Sequence, residues 1–186
     1  MSTTSPSMRA TSALLALSTG VFRFGFAAVA AVTLSVGLVA LAAQTATATL
    51  VVGGAVKTPL TLTAAELAKM PRTTVTISED GTDVHYEGVL LAEILKRAGA
   101  PVGAALRGKA LASYLLCEAK DGYRVVFALA EFDPDFSDNP IIVADTRDGK
   151  PLFDYQGPFR IMAPRDKKAA RGIRMLTKLT VVELPD

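Results

Sequence analysis

Apolar and polar residues alternate in short runs along most of this chain, and only one stretch keeps helical spacing over several turns. From Thr73 to Ser78, polar residues flank Val75 and Ile77 at period two, the signature of a half-buried strand. Glu79-Asp80-Gly81 predicts a turn into a partner strand, Val84 to Glu87. Thr49 to Ala55 and Pro59 to Leu62 predict two further strands, with Gly53-Gly54 as a turn. Thr63-Ala64-Ala65-Glu66 is a capping box, in which hydroxyl and carboxylate satisfy each other's backbone donors. It starts a short helix that stops before Pro71. Val89, Leu90, Leu91, Ile94, Leu95 and Ala98 share one helical face, and Gly99 follows as a C-terminal cap. Leu111 to Glu118 and Tyr123 to Leu129 predict a hairpin around Asp121-Gly122, with a brief helical turn from Ala128 to Phe132. Ile141 to Ala144 predicts a buried strand, and Arg147 to Lys150 a tight turn. Phe159 to Ala163 and Ile173 to Leu184 predict the last strands. Strands outnumber helices and no regular helices separate them, so a doubly wound parallel sheet is excluded. The pattern predicts an α+β domain with a mixed, mainly antiparallel sheet and a few short helices.

Residues 1–48 follow another pattern. No acid precedes Glu66, and Arg9 and Arg23 lead into an uncharged run from Gly25 to Ala43. Ala46-Thr47-Ala48 then offers a small-x-small exit, which predicts a secretory signal. The run also approaches the ~20 residues that cross a bilayer, so an uncleaved membrane anchor is the other reading. Both export residues 49–186 to the periplasm or beyond, as one domain long enough for a proper core.

Charge narrows the choice of partners. Of the 20 Lys and Arg residues, Arg9 and Arg23 lie in the export segment, which leaves 18 in residues 49–186 against 18 acids. That balance excludes a generally basic nucleic-acid binder. It is uneven, however: Asp133 to Asp148 is acidic, and Arg160 to Lys178 carries seven bases with Asp166 as the one acid. Cys117 is the only cysteine, so no internal disulfide forms, and its apolar setting predicts a buried, inert thiol in a strand. His85 is the only histidine and lacks partners for a triad or a zinc site. Gly103 to Ala110 imitates a phosphate loop, but Ala110 stands where magnesium needs a hydroxyl. Asp133 to Asp138 imitates a calcium loop without its glycine, and reads as a solvated acidic turn.

The basic stretch has two readings. Lys167 and Lys168 suit a solvated face. Arg160 and Arg174 are flanked by apolar residues in predicted strands, and a strand arginine needs an acceptor or solvent. Such guanidinium groups suit an anionic or planar polar ligand.

The order Tyr86-Glu87-Gly88-Val89-Leu90-Leu91, Asp121-Gly122-Tyr123, Gly157-Pro158-Phe159-Arg160 with Pro164, and Ala170-Arg171-Gly172-Ile173-Arg174 resembles the molybdopterin-binding domain of the sulfite oxidase superfamily. The resemblance runs from about Leu60 to Leu184 and implies that family's mixed α+β fold. It implies a pterin or molybdopterin-type cofactor held by Arg160, Arg171 and Arg174; beside them the basic stretch offers Lys167 and Lys168, and Tyr123 a candidate aromatic wall. Tyr155 or Phe159 is a further candidate for an aromatic wall. Arg174 stands where the family often has lysine, and Met175 where it often has tryptophan. Catalytic members bind molybdenum through a cysteine from the segment that here reads Val75-Thr76-Ile77-Ser78-Glu79. The histidine often found before the Pro-x-Arg turn is replaced by Gln156-Gly157-Pro158. Molybdenum is therefore not expected, and no catalytic or metal-binding residue is assigned. Small exported relatives of this type include proteins that bind free reduced pterin and signal to a membrane-bound cyclic-di-GMP enzyme. The resemblance thus implies an exported, non-catalytic pterin-binding module with a membrane-bound partner. The alternative is a molybdenum-dependent oxidoreductase of the same superfamily.

Overall fold

The computed structural model describes residues 48–185. Residues 1–47, and with them the expected export segment, lie outside the description. The described elements are, in chain order, β1 (Thr49–Gly54), β2 (Leu60–Thr63), α1 (Ala64–Leu67), β3 (Thr73–Glu79), β4 (Thr82–Leu90), α2 (Leu91–Ala98), β5 (Tyr114–Ala119), β6 (Arg124–Ala128), β7 (Ile142–Arg147), β8 (Lys150–Pro151), β9 (Arg160–Met162) and β10 (Leu176–Val182). Short 3₁₀ turns occupy Gly103–Ala105, Gly108–Ala112, Leu129–Glu131 and Ala169–Arg171.

Two sheets result. The first has the order β2-β1-β10-β5-β6, and the second β3-β4-β7-β8 with β9 also paired to β7. β1 and β10 run parallel, and the other described pairings are antiparallel. This is the expected mixed, mainly antiparallel α+β fold. The capping box forms as predicted: Thr63 N–H donates to Glu66 Oε2 at 2.8 Å, and Glu66 N–H to Thr63 Oγ1 at 3.2 Å. The β5–β6 hairpin turns at Gly122, and β7–β8 at Asp148-Gly149, whose φ values of 48° and 72° suit a two-residue hairpin turn.

Five expectations needed correction. Asp133 is fully buried instead of solvated, its carboxylate accepting from the Gly103 and Asp135 N–H groups. Val89 and Leu90 end a strand instead of starting a helix. Both faces of that sheet are buried here, so Val89 packs into one core cluster while Leu90 packs against the other, and apolar residues follow one another at what looks like helical spacing. Gly88 is required there, because a Cβ would lie 2.0 Å from the Val143 carbonyl oxygen. Gly53-Gly54 is not a turn but the end of β1, paired with Thr180 and Val181 of β10. Leu111 and Ala112 are 3₁₀, with β5 starting at Tyr114. Ile173, Arg174 and Met175 precede β10, with Met175 at a φ of 48° that a strand does not allow.

The larger core lies between the first sheet, the buried face of α2 (Leu91, Ile94, Leu95, Ala98) and one face of the second sheet. A smaller cluster of Val75, Val84, Tyr86, Ile142, Ala144, Leu152 and Met162 covers the second sheet's other face. On β9 the period of two sends Ile161 into the larger core, while Arg160 and Met162 share the opposite face. β8 and β9 meet the same edge of β7 end to end, so the connection 152–159 loops out between them. These two facts position the site.

A candidate cofactor cleft around Arg160

Arg160 is 8 % exposed and sits at the centre of a buried polar network. Its Nη1 donates to the Tyr86 hydroxyl at 2.9 Å, and that hydroxyl donates to Glu79 Oε1 at 2.8 Å. Arg147 Nη2 donates to Glu79 Oε2 at 3.1 Å, and Arg160 Nη1 lies 3.8 Å from Glu79 Oε1. The Arg160 and Arg147 guanidinium carbons lie 5.2 and 6.0 Å from the Tyr86 ring centroid. One carboxylate thus answers two guanidinium groups across a buried phenol. Burial, and then the bond to Glu79, hold the Tyr86 hydroxyl above the usual tyrosine range. The Nε atoms of Arg160 and Arg147 are buried without an acceptor. Such orphans are rare in native proteins and call for an explanation.

Two chambers meet at Arg160. The first, of about 570 Å³, runs along the end of β3 to the loop after β9 and is lined by Thr76, Ser78, Glu79, Met162, Lys167 and Lys168, among others. The second, of about 520 Å³, is lined by Asp121, Tyr123, Tyr155, Gln156, Ile173 and Arg174. Glu79, Arg160, Ala169 and Gly172 line both, so the chambers form one groove divided at Arg160. Tyr123 ties the second chamber to the 3₁₀ turn, its hydroxyl donating to the Ala170 carbonyl at 2.9 Å. Tyr155 stacks on Phe153 at 5.7 Å, and the Arg174 guanidinium carbon lies 5.9 Å from the Tyr155 ring.

Five of the six expected site residues therefore line one groove: Arg160 in both chambers, Lys167 and Lys168 in the first, Arg174 and Tyr123 in the second. Arg171 lines neither. It donates to Asp166 through Nε and Nη2 at 2.8 and 2.7 Å and to Glu131 through Nη1 at 2.5 Å, while stacking 4.6 Å over Phe127. These partners, Asp166 first, keep its guanidinium firmly charged and clamp the turn that roofs the groove. Of the candidate wall residues Tyr155 lines the groove, whereas Phe159 is fully buried in the larger core. Gln156 and the Glu79–Tyr86–Arg147 network were not among the expected site residues. Only the folded chain singles them out: Glu79 lines both chambers, Tyr86 bridges it to Arg160, and Arg147 and Gln156 carry orphaned atoms.

The donor set suits a pterin-type group. Guanidinium and ammonium groups meet phosphate and carbonyl oxygens, tyrosine rings meet a planar bicycle, and the Arg160 Nε orphan asks for an acceptor. The sulfur that lines the groove is the Met162 thioether, a neutral and weak ligand. Cys117 lies on β5 of the other sheet, 0 % exposed, and burial pushes its thiol far above the ordinary value. His85 is exposed and meets Thr76 Oγ1 at 3.0 Å.

Fold and groove together describe a small α+β cofactor-binding domain. A family model, the oxidoreductase molybdopterin binding domain, matches residues 37–186, and the chain belongs to that family. Among solved structures it is similar to the sulfane dehydrogenase SoxCD from Paracoccus pantotrophus. The TM-score is 0.57 with 20 % identity, over 72 % of this chain and 38 % of that one. This likeness is one of fold, and the present chain spans well under half of that structure's length. A search of curated proteins gives no match.

Proposed function

We propose that this chain is an exported pterin-binding module that works without a protein thiolate on a metal and reports ligand occupancy to a membrane-bound partner. One observation carries the reading. Arg160, Arg174, Lys167, Lys168 and Tyr123 line a single groove, while the only cysteine is sealed inside the other sheet. Arg160 grips the ligand from the groove's centre, Lys167 and Lys168 neutralise a phosphate, and Tyr123 and Tyr155 flank the ring. A molybdopterin bound here would supply two sulfurs for a metal and the redox chemistry that follows. The chain's own residues bind, orient and hold charge. Export rests on the sequence of residues 1–48, and the membrane partner on the resemblance to exported pterin regulators.

The test is calorimetric titration of the full chain, in mild detergent, with a reduced pterin. The expected outcome is saturable binding, weakened at least about tenfold in an Arg160→Ala, Arg174→Ala variant. Equal affinity of that variant removes the groove as the site. Metal analysis of protein from its native host separates the second reading, which the family's oxidoreductase description supports. Stoichiometric molybdenum there means a molybdenum-dependent oxidoreductase. Pull-down from solubilised membranes, with and without pterin, tests the partner: capture unaffected by ligand argues against signalling.

A further inference from the structure

A residue lining the second chamber carries a buried acceptor with no partner. Gln156 is 6 % exposed and lines the chamber. Its Nε2 donates to the Tyr155 hydroxyl at 3.3 Å, and its Oε1 is buried without any hydrogen bond. The backbone is fixed on both sides of that amide. Gln156 N–H donates to the Phe153 carbonyl at 2.8 Å, and the Gln156 carbonyl accepts from Met175 N–H at 2.8 Å. Met175 holds a left-handed φ of 48° to make that contact, a strained backbone of the kind found at ligand clamps. Asp121 lines the same chamber, with Oδ1 accepting from Tyr123 N–H at 3.0 Å. The chamber therefore sets two acceptors, Gln156 and Asp121, among two guanidinium donors and two tyrosine rings.

We infer that Gln156 reads the hydrogen-bond donor edge of the ring, making this chamber selective for a 2-amino-4-oxo heteroaromatic over its 2,4-dioxo analogue. This rests on the pterin reading and deepens it. A 2-amino-4-oxopyrimidine edge carries two adjacent N–H donors and one carbonyl. The amino group meets Gln156 Oε1, and the carbonyl meets a guanidinium. In the 2,4-dioxo ring an oxygen replaces the amino group and faces the amide oxygen, acceptor against acceptor, and the Gln156 orphan stays unpaired. Sites built to hydrogen-bond a group reject the analogue lacking it far more strongly than apolar pockets do.

The experiment compares pterin with lumazine, its 2,4-dioxo counterpart, by competition on the full chain at neutral pH. The expected preference for pterin is at least about tenfold. Gln156→Met, which keeps volume and removes the acceptor, reduces the preference to about threefold or less, and Gln156→Glu, which keeps an acceptor, retains it. Equal binding of the two rings by the natural chain overturns the inference and leaves the pterin reading standing. A preference for lumazine also overturns it, since the amide would then present its donor. A preference that survives in Gln156→Met assigns selectivity elsewhere and overturns it too. If neither ring binds at millimolar concentration, the pterin reading fails and takes this inference with it.

Discussion

Replacing Arg160 by methionine should leave the fold about as stable as before while weakening ligand binding. The attraction between Arg160 and Glu79 at 3.8 Å is about 4 kcal/mol before desolvation, at an effective dielectric near 20. Withdrawing each ion from water costs several kcal/mol, and Glu79 is shared with Arg147. The bond to the Tyr86 hydroxyl contributes roughly 1.5–3 kcal/mol, and the orphaned Nε cancels roughly 1–3 of that. The sum is near zero, so Arg160→Met should change the unfolding free energy by less than about 1.5 kcal/mol in either direction. Glu79→Ala behaves differently. It strands two guanidinium groups and the Tyr86 hydroxyl together. Breaking a buried pair from one side costs about 3–5 kcal/mol, lowered here to about 2–3 because the Glu79 side chain is 31 % exposed. Urea unfolding reads both as shifts in midpoint at constant slope. A loss above about 3 kcal/mol for Arg160→Met would refute the reasoning, because Arg160 would then be a structural pillar rather than a ligand group.

Three further outcomes follow from the geometry. Gly88→Ala drives a Cβ to 2.0 Å from the Val143 carbonyl oxygen, so it should cost more than about 3 kcal/mol in the same urea assay. Tyr86 holds its proton above the ordinary ~10, so the unfolded chain releases that proton first as pH rises. Its contribution to stability is therefore complete below pH ~10 and is lost as pH climbs through the folded value. Phenolate absorbance of the folded chain should show one late-titrating tyrosine that disappears in Tyr86→Phe. Cys117 should resist an aromatic disulfide reagent at neutral pH until denaturant is added, because burial suppresses its thiolate.

Local chemistry was legible in the sequence wherever neighbours in the chain decide the structure. The Thr63–Glu66 box, the Gly99 cap and the Asp121-Gly122 hairpin each depend on a few adjacent residues. The resemblance placed Arg160 in the site because its proline-flanked strand is a compact pattern. What stayed illegible was pairing at long range. Glu79, Tyr86, Arg147 and Arg160 come from β3, β4, β7 and β9, and nothing in any one segment reveals the shared carboxylate. Arg171 looked equivalent to Arg160 and Arg174 for the same reason. Asp166 lies only five residues away, but the turn that brings it onto Arg171 is not visible in the sequence, and the second partner, Glu131, lies 40 residues away. Gln156 read as the loss of a histidine, although in the fold its orphaned oxygen is what distinguishes the second chamber.

The groove's two halves differ in a way that constrains the ligand beyond its ring. Lys167 and Lys168 line only the first chamber, where Asp166 is already committed to Arg171. Gln156, Asp121, Tyr123 and Tyr155 line only the second. A free anion gains from the first chamber, and a neutral ring gains from the second. Arg160 lines both, so a molecule joining ring to phosphate meets it without a second loss of rotational and translational freedom. Linkage of this kind raises affinity beyond either part alone, typically by about 10²-fold or more when the spacing fits. A pterin carrying a phosphorylated side chain should therefore bind at least about a hundredfold more tightly than the unphosphorylated pterin, measured by the same competition assay. Lys167→Ala with Lys168→Ala should remove most of that advantage while leaving affinity for the unphosphorylated ring unchanged. If both forms bind alike, the two chambers do not serve one ligand, and the first must be explained separately.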